Sequence, residues 1–453
     1  MSGRLTDSGA FAHLWGTDEV RALFGERAMY QAWLTILGAL AGAQADLGII
    51  PPGAAGAIAQ VDVDSLDADL VVAEARRTSH STLGFITAVR QVLAPEAAEY
   101  VYYGITVQDL SDTWTVLVLR DVGEVVWRDL HALEGLLIDL ALEHRLTVMA
   151  GRTHGQPGAP ITFGMKVASW ADEVRRHIER LAAGRDRWLT GQLGGAVGTL
   201  GFFGDDGPAL RAAFCARLGL ADPLIAWLTA RDRPADLALL LAMVCSTLAR
   251  IGGEVYELSR PEIGEVREPL SPATVGSITM PHKRNPERAE HLDTLARLAR
   301  ANAGVLLEGM VAAHERDGRA WKAEWAALPE VCLVTSTALR LAREIVDGLE
   351  VDTVAMAANI AARGGYLSSE EILADLSAKV GKHAAQAQLQ SLFSEAQRSG
   401  RTLLEALDGA GLVDPGVARA IVEHPSVTTA SAVVDAVVAR AVGARAVEAE
   451  RWS

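Results

Sequence analysis

Residues 114–145 read WTVLVLRDVGEVVWRDLHALEGLLIDLALEHR, an unbroken stretch without a proline. Leu119, Val122, Val126, Leu130, Leu133, Leu137 and Leu140 recur every three or four positions, which is the apolar stripe of a helix. At 1.5 Å per residue that helix is about 50 Å long, too long for a compact domain unless other long helices lie along it. Leu117, Val125 and Leu136 fall off the stripe. More than one side of the helix is therefore expected to be covered, as at the centre of an oligomeric bundle.

The same periodicity recurs over 163–189, 208–218, 234–256, 286–313 and 328–349, and strand-like alternation is almost absent. The fold expected is all-α. It divides into an N-terminal helical domain (1–112), a central long-helix bundle (113–363) and a C-terminal helical domain (364–453), the last break marked by Gly364-Gly365. With 453 residues, half of them hydrophobic, disorder is excluded. A net charge of −15 argues against nucleic-acid partners, and any anion site must be built locally. The run Leu237–Ala249 falls short of the roughly 20 residues that span a bilayer and reads as a buried core helix, so no membrane contact is expected. Met1–Leu14 lacks the apolar run of a secretory signal, and Cys215, Cys245 and Cys332 have no disulfide or CxxC spacing. The reducing cytosol is the expected compartment.

Two polar segments, 150–160 and 270–286, are rich in Gly and Pro and crowded with His, Arg, Lys, Ser and Thr. Loops of that chemistry between rigid helices are where function concentrates. The second, GSITMPHKRNP at 276–286, gathers a hydroxyl, two certain cations and an amide donor ahead of a helix opening at Pro286. It can hold an anion; the same residues also suit a solvated basic loop. Serine is a poor base at its free pKa, but an adjacent lysine, helix-end amides and exclusion of water stabilise an alkoxide, which makes Ser277 a candidate proton abstractor. In the first segment, Gly151–Pro157 presents His154, either a proton donor near neutrality or a turn histidine bonded to backbone. His80 lies among hydroxyls in RRTSHS (76–81), and YYGITVQD (102–109) supplies a turn with a hydroxyl and a carboxylate.

GSITMPHKRNP resembles the GSSxMPxKxN signature of the fumarase/aspartase superfamily, with Glu290 at the place of its trailing glutamate. AGRTHGQPGAPITFG (150–164) resembles the RTHxQ segment of that superfamily, and YGITVQDLSDT (103–113) its third shared segment. Residues 21–34, 227–238, 264–269 and 314–330 are similar to the 3-carboxy-cis,cis-muconate cycloisomerase branch. The His-bearing RTHGQ and TSH segments are more like adenylosuccinate lyase.

The resemblance implies a three-domain fold whose long helices form a 20-helix core in a homotetramer, each active site drawing on three subunits. It implies anti elimination without metal or other cofactor. A base removes the proton beside a carboxylate, the carbanion is held as an aci-carboxylate, and the β-substituent leaves to give fumarate. Carried residue by residue, Ser277 is the base, His154 the general acid, Glu290 its orienting carboxylate and His80 a second active-site histidine. Lys283 and Asn285 hold a carboxylate. Thr106, Thr153, Gln156 and Arg316 contact substrate.

Three positions depart from the pattern. Ile278 replaces the second signature serine, Val107 replaces a serine after Thr106, and Trp227 stands where adenylosuccinate lyases carry a glutamine. The leading expectation is a lyase cleaving a C–N bond of a small substituted succinate, such as an amine adduct or nitrosuccinate. The alternatives are a 3-carboxymuconate cycloisomerase, then an adenylosuccinate lyase, then a crystallin-like structural role.

Overall fold

The computed structural model describes residues 3–270, 279–280 and 282–453. Six helices frame it: α1 (Val107–Glu143), α2 (Phe163–Trp188), α3 (Asp232–Leu258), α4 (Glu287–Glu308), α5 (Gly318–Asp347) and α6 (Thr428–Arg445). The helix expected over 114–145 begins one to two turns earlier, so the boundary expected at residue 112 falls inside continuous helix. A capping box starts it, in which the Asp109 carboxylate accepts from the Thr106 backbone N–H at 3.0 Å. The predicted stripe, Leu117 and Val125 are buried, and Leu136 is partly buried against the same core.

α1 packs on α2 and α5, α3 packs on α2, α4 and α5, and α4 packs on α5. One continuous core runs from Val20 to Trp452 through these helices. α3 is long and apolar enough to cross a membrane, but two-thirds of its most apolar window is buried inside the bundle. A second apolar stretch, 415–445, is broken between Glu423 and Thr428. A smaller core gathers Ile372, Leu376, Leu389, Leu403 and Leu407, after which α6 returns to pack on α1 and α2.

The segment 150–160, expected as loop, is a β-hairpin. β1 (Val148–Thr153) pairs antiparallel with β2 (Gln156–Thr162). Its two-residue turn, His154-Gly155, has both residues at positive φ (52° and 74°), the type I′ pattern that matches strand twist. Alternation did not reveal it because Pro157 and Pro160 sit in β2 and Gly151 and Gly158 supply no side chains.

Arg152 anchors the hairpin. Its guanidinium donates to both carboxylate oxygens of the buried Glu265, at 2.9 and 2.7 Å, and Asn359 donates to the same carboxylate at 2.8 Å. A buried carboxylate needs such partners, since an unpaired one costs several kcal/mol, on the order of 3–5.

Candidate active site

Thr106 and Arg316 are brought together within one chain. Thr106 is the N-cap of α1, and Arg316 lies two residues ahead of α5. The Arg316 guanidinium donates to the Thr106 hydroxyl at 2.6 Å. Among the described residues, no carboxylate forms an ion pair with Arg316, although most arginines of this acidic chain have one. The cation is thus kept in place without being neutralised, which suits an anionic ligand.

The support under Thr106 is Asp109. Its carboxylate is buried and accepts from the backbone N–H groups of Thr106, Gly194 and Gly195 and from the Gln192 amide, at 2.8–3.2 Å. Burial outweighs those donors and pushes its pKa up to about 6. The carboxylate expected as a site group is therefore a structural one, joining the α1 cap to the 192–195 turn. Tyr102 packs beside it at φ +61°, and burial raises its phenol.

His80 follows the end of the helix Ala68–Thr78 and is exposed. Its Nδ1 accepts from the backbone N–H of Leu83 at 3.2 Å and of Thr82 at 3.4 Å. A ring whose Nδ1 is an acceptor carries its proton on Nε2, so His80 is a hydrogen-bond donor.

Thr153, His154 and Gln156 lie at the exposed tip of the hairpin. The hairpin packs on α2, α6, the helix Thr353–Ala361 and the short turn Tyr366–Ser368. Lys283 and Asn285 precede α4, and Glu290 is in its first turn, exposed. Arg284, one of the two cations expected to face a ligand, is committed elsewhere. It pairs with Glu350 at 2.7 Å and donates to the Glu268 carbonyl. Among the described residues Lys283 forms no ion pair. The α4 N-terminus is closed by Glu268, whose carboxylate accepts from Ala289 N–H at 2.6 Å and Arg288 N–H at 3.2 Å. His154 and Glu290, expected as a pair, are not hydrogen-bonded within the chain. Ser277 and Ile278 lie outside the described residues. Trp227 is a core residue, its indole donating to the Gly191 carbonyl at 2.9 Å.

Among the described residues, five non-glycine residues have left-handed backbone: Ser79, Tyr102, His154, Leu200 and His314. Each conformation costs about 1 kcal/mol or more. Four flank the segments just described, beside His80, ahead of Thr106, at His154 and ahead of Arg316. The cost is concentrated where those side chains must be presented. No sequence signal reports it, because none of the five is Gly or Asn. The capping role of Asp109 did have one, the Thr-x-x-Asp spacing of 106–109.

The family model described as Lyase matches residues 15–300. The chain belongs to the fumarase/aspartase superfamily. It is 40% identical over 386 residues to N-acetyl-S-(2-succino)cysteine lyase of Dickeya dadantii (strain 3937), covering 85% of each chain. It is 37% identical over 421 residues to nitrosuccinate lyase of Streptomyces davaonensis, covering 90% of this chain and 88% of that one. The crystal structure of 3-carboxy-cis,cis-muconate lactonizing enzyme from Pseudomonas putida superposes with a TM-score of 0.88 at 32% identity, over 95% of this chain and 98% of that one. These relatives support a lyase of the succinate-elimination type.

Proposed function

We propose that the chain releases fumarate from a small 2-substituted succinate, and that the leaving group is a thiolate carried on a thioether substrate. In this reading Ser277 removes the proton on the carbon next to one carboxylate. The C–H electron pair becomes the new C=C bond, and the C–S bond breaks with its pair leaving on sulfur. His154, oriented by Glu290, protonates the departing group, and His80 donates a hydrogen bond from Nε2. The two carboxylates are shared between Thr106 with Arg316 and Lys283 with Asn285. Thr153 and Gln156 line the approach. Donors aimed at the aci-carboxylate lower the barrier because charge gathers there in the transition state. The exposed hairpin tip and the 282–290 segment are completed by neighbouring copies in a homotetramer.

The observation that carries this reading is the Arg316 guanidinium held on the Thr106 hydroxyl without a carboxylate partner. The choice of sulfur is favoured by the relative named for a succinylated cysteine thioether, and it narrows differently from the C–N cleavage expected from sequence. A thiol, with its pKa near 8.5, is also a better leaving group than an amine and asks less of a general acid. C–N cleavage remains the second reading, favoured by the nitrosuccinate lyase relative.

Fumarate formation from N-acetyl-S-(2-succino)cysteine, an N-substituted aspartate and nitrosuccinate, with lactone formation from 3-carboxy-cis,cis-muconate run in parallel, tests the assignment. Fumarate from the thioether at the highest kcat/KM is the expected result. Faster release of amine or nitrite moves the assignment to C–N cleavage, and lactone alone overturns both.

A further inference from the structure

Arg231 sits at the entry to α3, 3% exposed, and spends its whole guanidinium on two carboxylates from different helices. Nη1 and Nη2 donate to Asp112 of α1 at 2.7 and 3.1 Å. Nε and Nη2 donate to Glu324 of α5 at 2.9 and 2.6 Å. The Trp321 indole of α5 adds a bond to Asp112 at 2.9 Å, and the Trp227 ring lies 5.1 Å from the guanidinium carbon. Asp112 and Glu324 are themselves buried, and with Trp321 they form part of the lining of a cavity of about 230 Å³.

Its position matters more than its strength. Asp112 is six residues, or about 9 Å along the helix, beyond Thr106. Glu324 is eight residues beyond Arg316, in the second turn of α5. Arg231 therefore ties together the leading turns of the two helices whose first polar groups, Thr106 and Arg316, meet at 2.6 Å. Arg316 itself is on an exposed loop, steadied by the Asp317 carboxylate accepting from the Ala313 and Arg319 N–H groups, and by Thr106. A buried ion cluster is weak evidence for net stability, because apolar residues of similar volume often do as well; its use is to fix geometry.

We infer that Arg231 is a positioning residue for the elimination: by clamping Asp112 and Glu324 it sets the spacing of Thr106 and Arg316 at which a substrate carboxylate is held. The inference rests on the reading that this pair binds a carboxylate.

A double-mutant cycle on fumarate binding, followed by calorimetry on the full-length protein, tests it. The clamp is removed as a unit, Asp112→Asn with Arg231→Met and Glu324→Gln, so that no charge is left buried alone. The second arm is Arg316→Lys, which keeps the charge and loses the fork. Removing the clamp is expected to weaken fumarate binding about 10-fold in the wild-type background and less than 2-fold in the Arg316→Lys background, since both act through one group. Arg231→Lys is expected to restore part of the loss. Equal losses in the two backgrounds overturn the clamp alone. A wild-type protein that binds no fumarate, or an Arg316→Lys variant that binds it as well as wild type, overturns the underlying reading and the clamp with it. Should the triple variant not fold, Trp321→Phe, which removes one bond to Asp112, takes its place in the same cycle with the same criterion.

Discussion

The Thr106–Arg316 corner and the hairpin that carries His154 are built in opposite ways. The corner is assembled inside one chain on a buried polar network: Asp109 under the cap, Arg231 between the helices, and the Arg316 guanidinium resting on a hydroxyl. The hairpin is a two-residue turn projecting into solvent, anchored by Arg152 and Glu265 one strand pair below the turn, and its His154 side chain forms no hydrogen bond among the described residues. The segment 282–290 shares that character, with Arg284 committed to Glu350 and Lys283 free of any ion pair among the described residues. One region is finished by its own chain, and the other two present groups outward. In the proposed function, the first region is the fixed point for a substrate dianion and the others supply chemistry to it.

That division predicts where substitutions act. Ser277→Ala is expected to lower kcat by about 1,000-fold, the usual contribution of a positioned general base, with the thermal transition unchanged. A variant retaining most of its kcat would remove Ser277 from the proposed mechanism. Arg152→Ala breaks the anchor instead of the tip. It leaves Glu265 buried beside Asn359 alone and is expected to cost about 3 to 5 kcal/mol in denaturant unfolding. If the loss is below about 1 kcal/mol, the hairpin is held by packing on α2 and α6, and the contrast between anchor and tip disappears.

The inward side responds to pH through Asp109. Its native pKa of about 6 lies above the ordinary carboxylate value of 3.8, so the folded protein takes up this proton more readily than the unfolded chain. The stability it contributes is complete below about pH 4 and is lost as pH rises through about 6, a swing of about 3 kcal/mol. Asp109→Asn removes that term. The stability difference between wild type and variant is therefore expected to shift in favour of wild type on going from pH 7 to pH 4. A difference that stays constant over this range would mean that the carboxylate titrates no differently when folded.

How much of this was legible follows from the reach of each interaction. α1 was readable because its stripe of Leu and Val repeats locally, and the Thr-x-x-Asp cap is also a local signal. The hairpin was not, because a His-Gly turn and a proline-bearing strand carry neither the Asn-Gly nor the alternating pattern. Candidate residues such as His80, His154 and Lys283 could be picked out as types in polar segments. Which of two adjacent cations, Lys283 or Arg284, was already paired depended on Glu350, sixty-six positions away from Arg284. The Asp112–Arg231–Glu324 cluster is further still from local, since its members are about a hundred residues apart and look like ordinary surface charges on their own helices.

The smallest change that still separates the two regions is Thr106→Val. It preserves the shape of the side chain and removes the hydroxyl that receives Arg316 and serves as the side-chain half of the α1 capping box, while the Thr106 N–H bond to the Asp109 carboxylate survives. Loss of one hydrogen bond to a charged group is worth about 1 to 2 kcal/mol. Because the clamp at Arg231 still holds α1 and α5 together, the expected effect is local: KM for the succinate adduct rises about 5- to 10-fold, the His154 chemistry is untouched and kcat changes less than 2-fold. Thr106→Ser, which keeps the acceptor, is expected to return KM to within about 2-fold of wild type. If Ser and Val behave alike, the hydroxyl is not what places the guanidinium. If kcat falls with KM in the Val variant, the corner and the outward groups are coupled more tightly than a fixed point and its visitors.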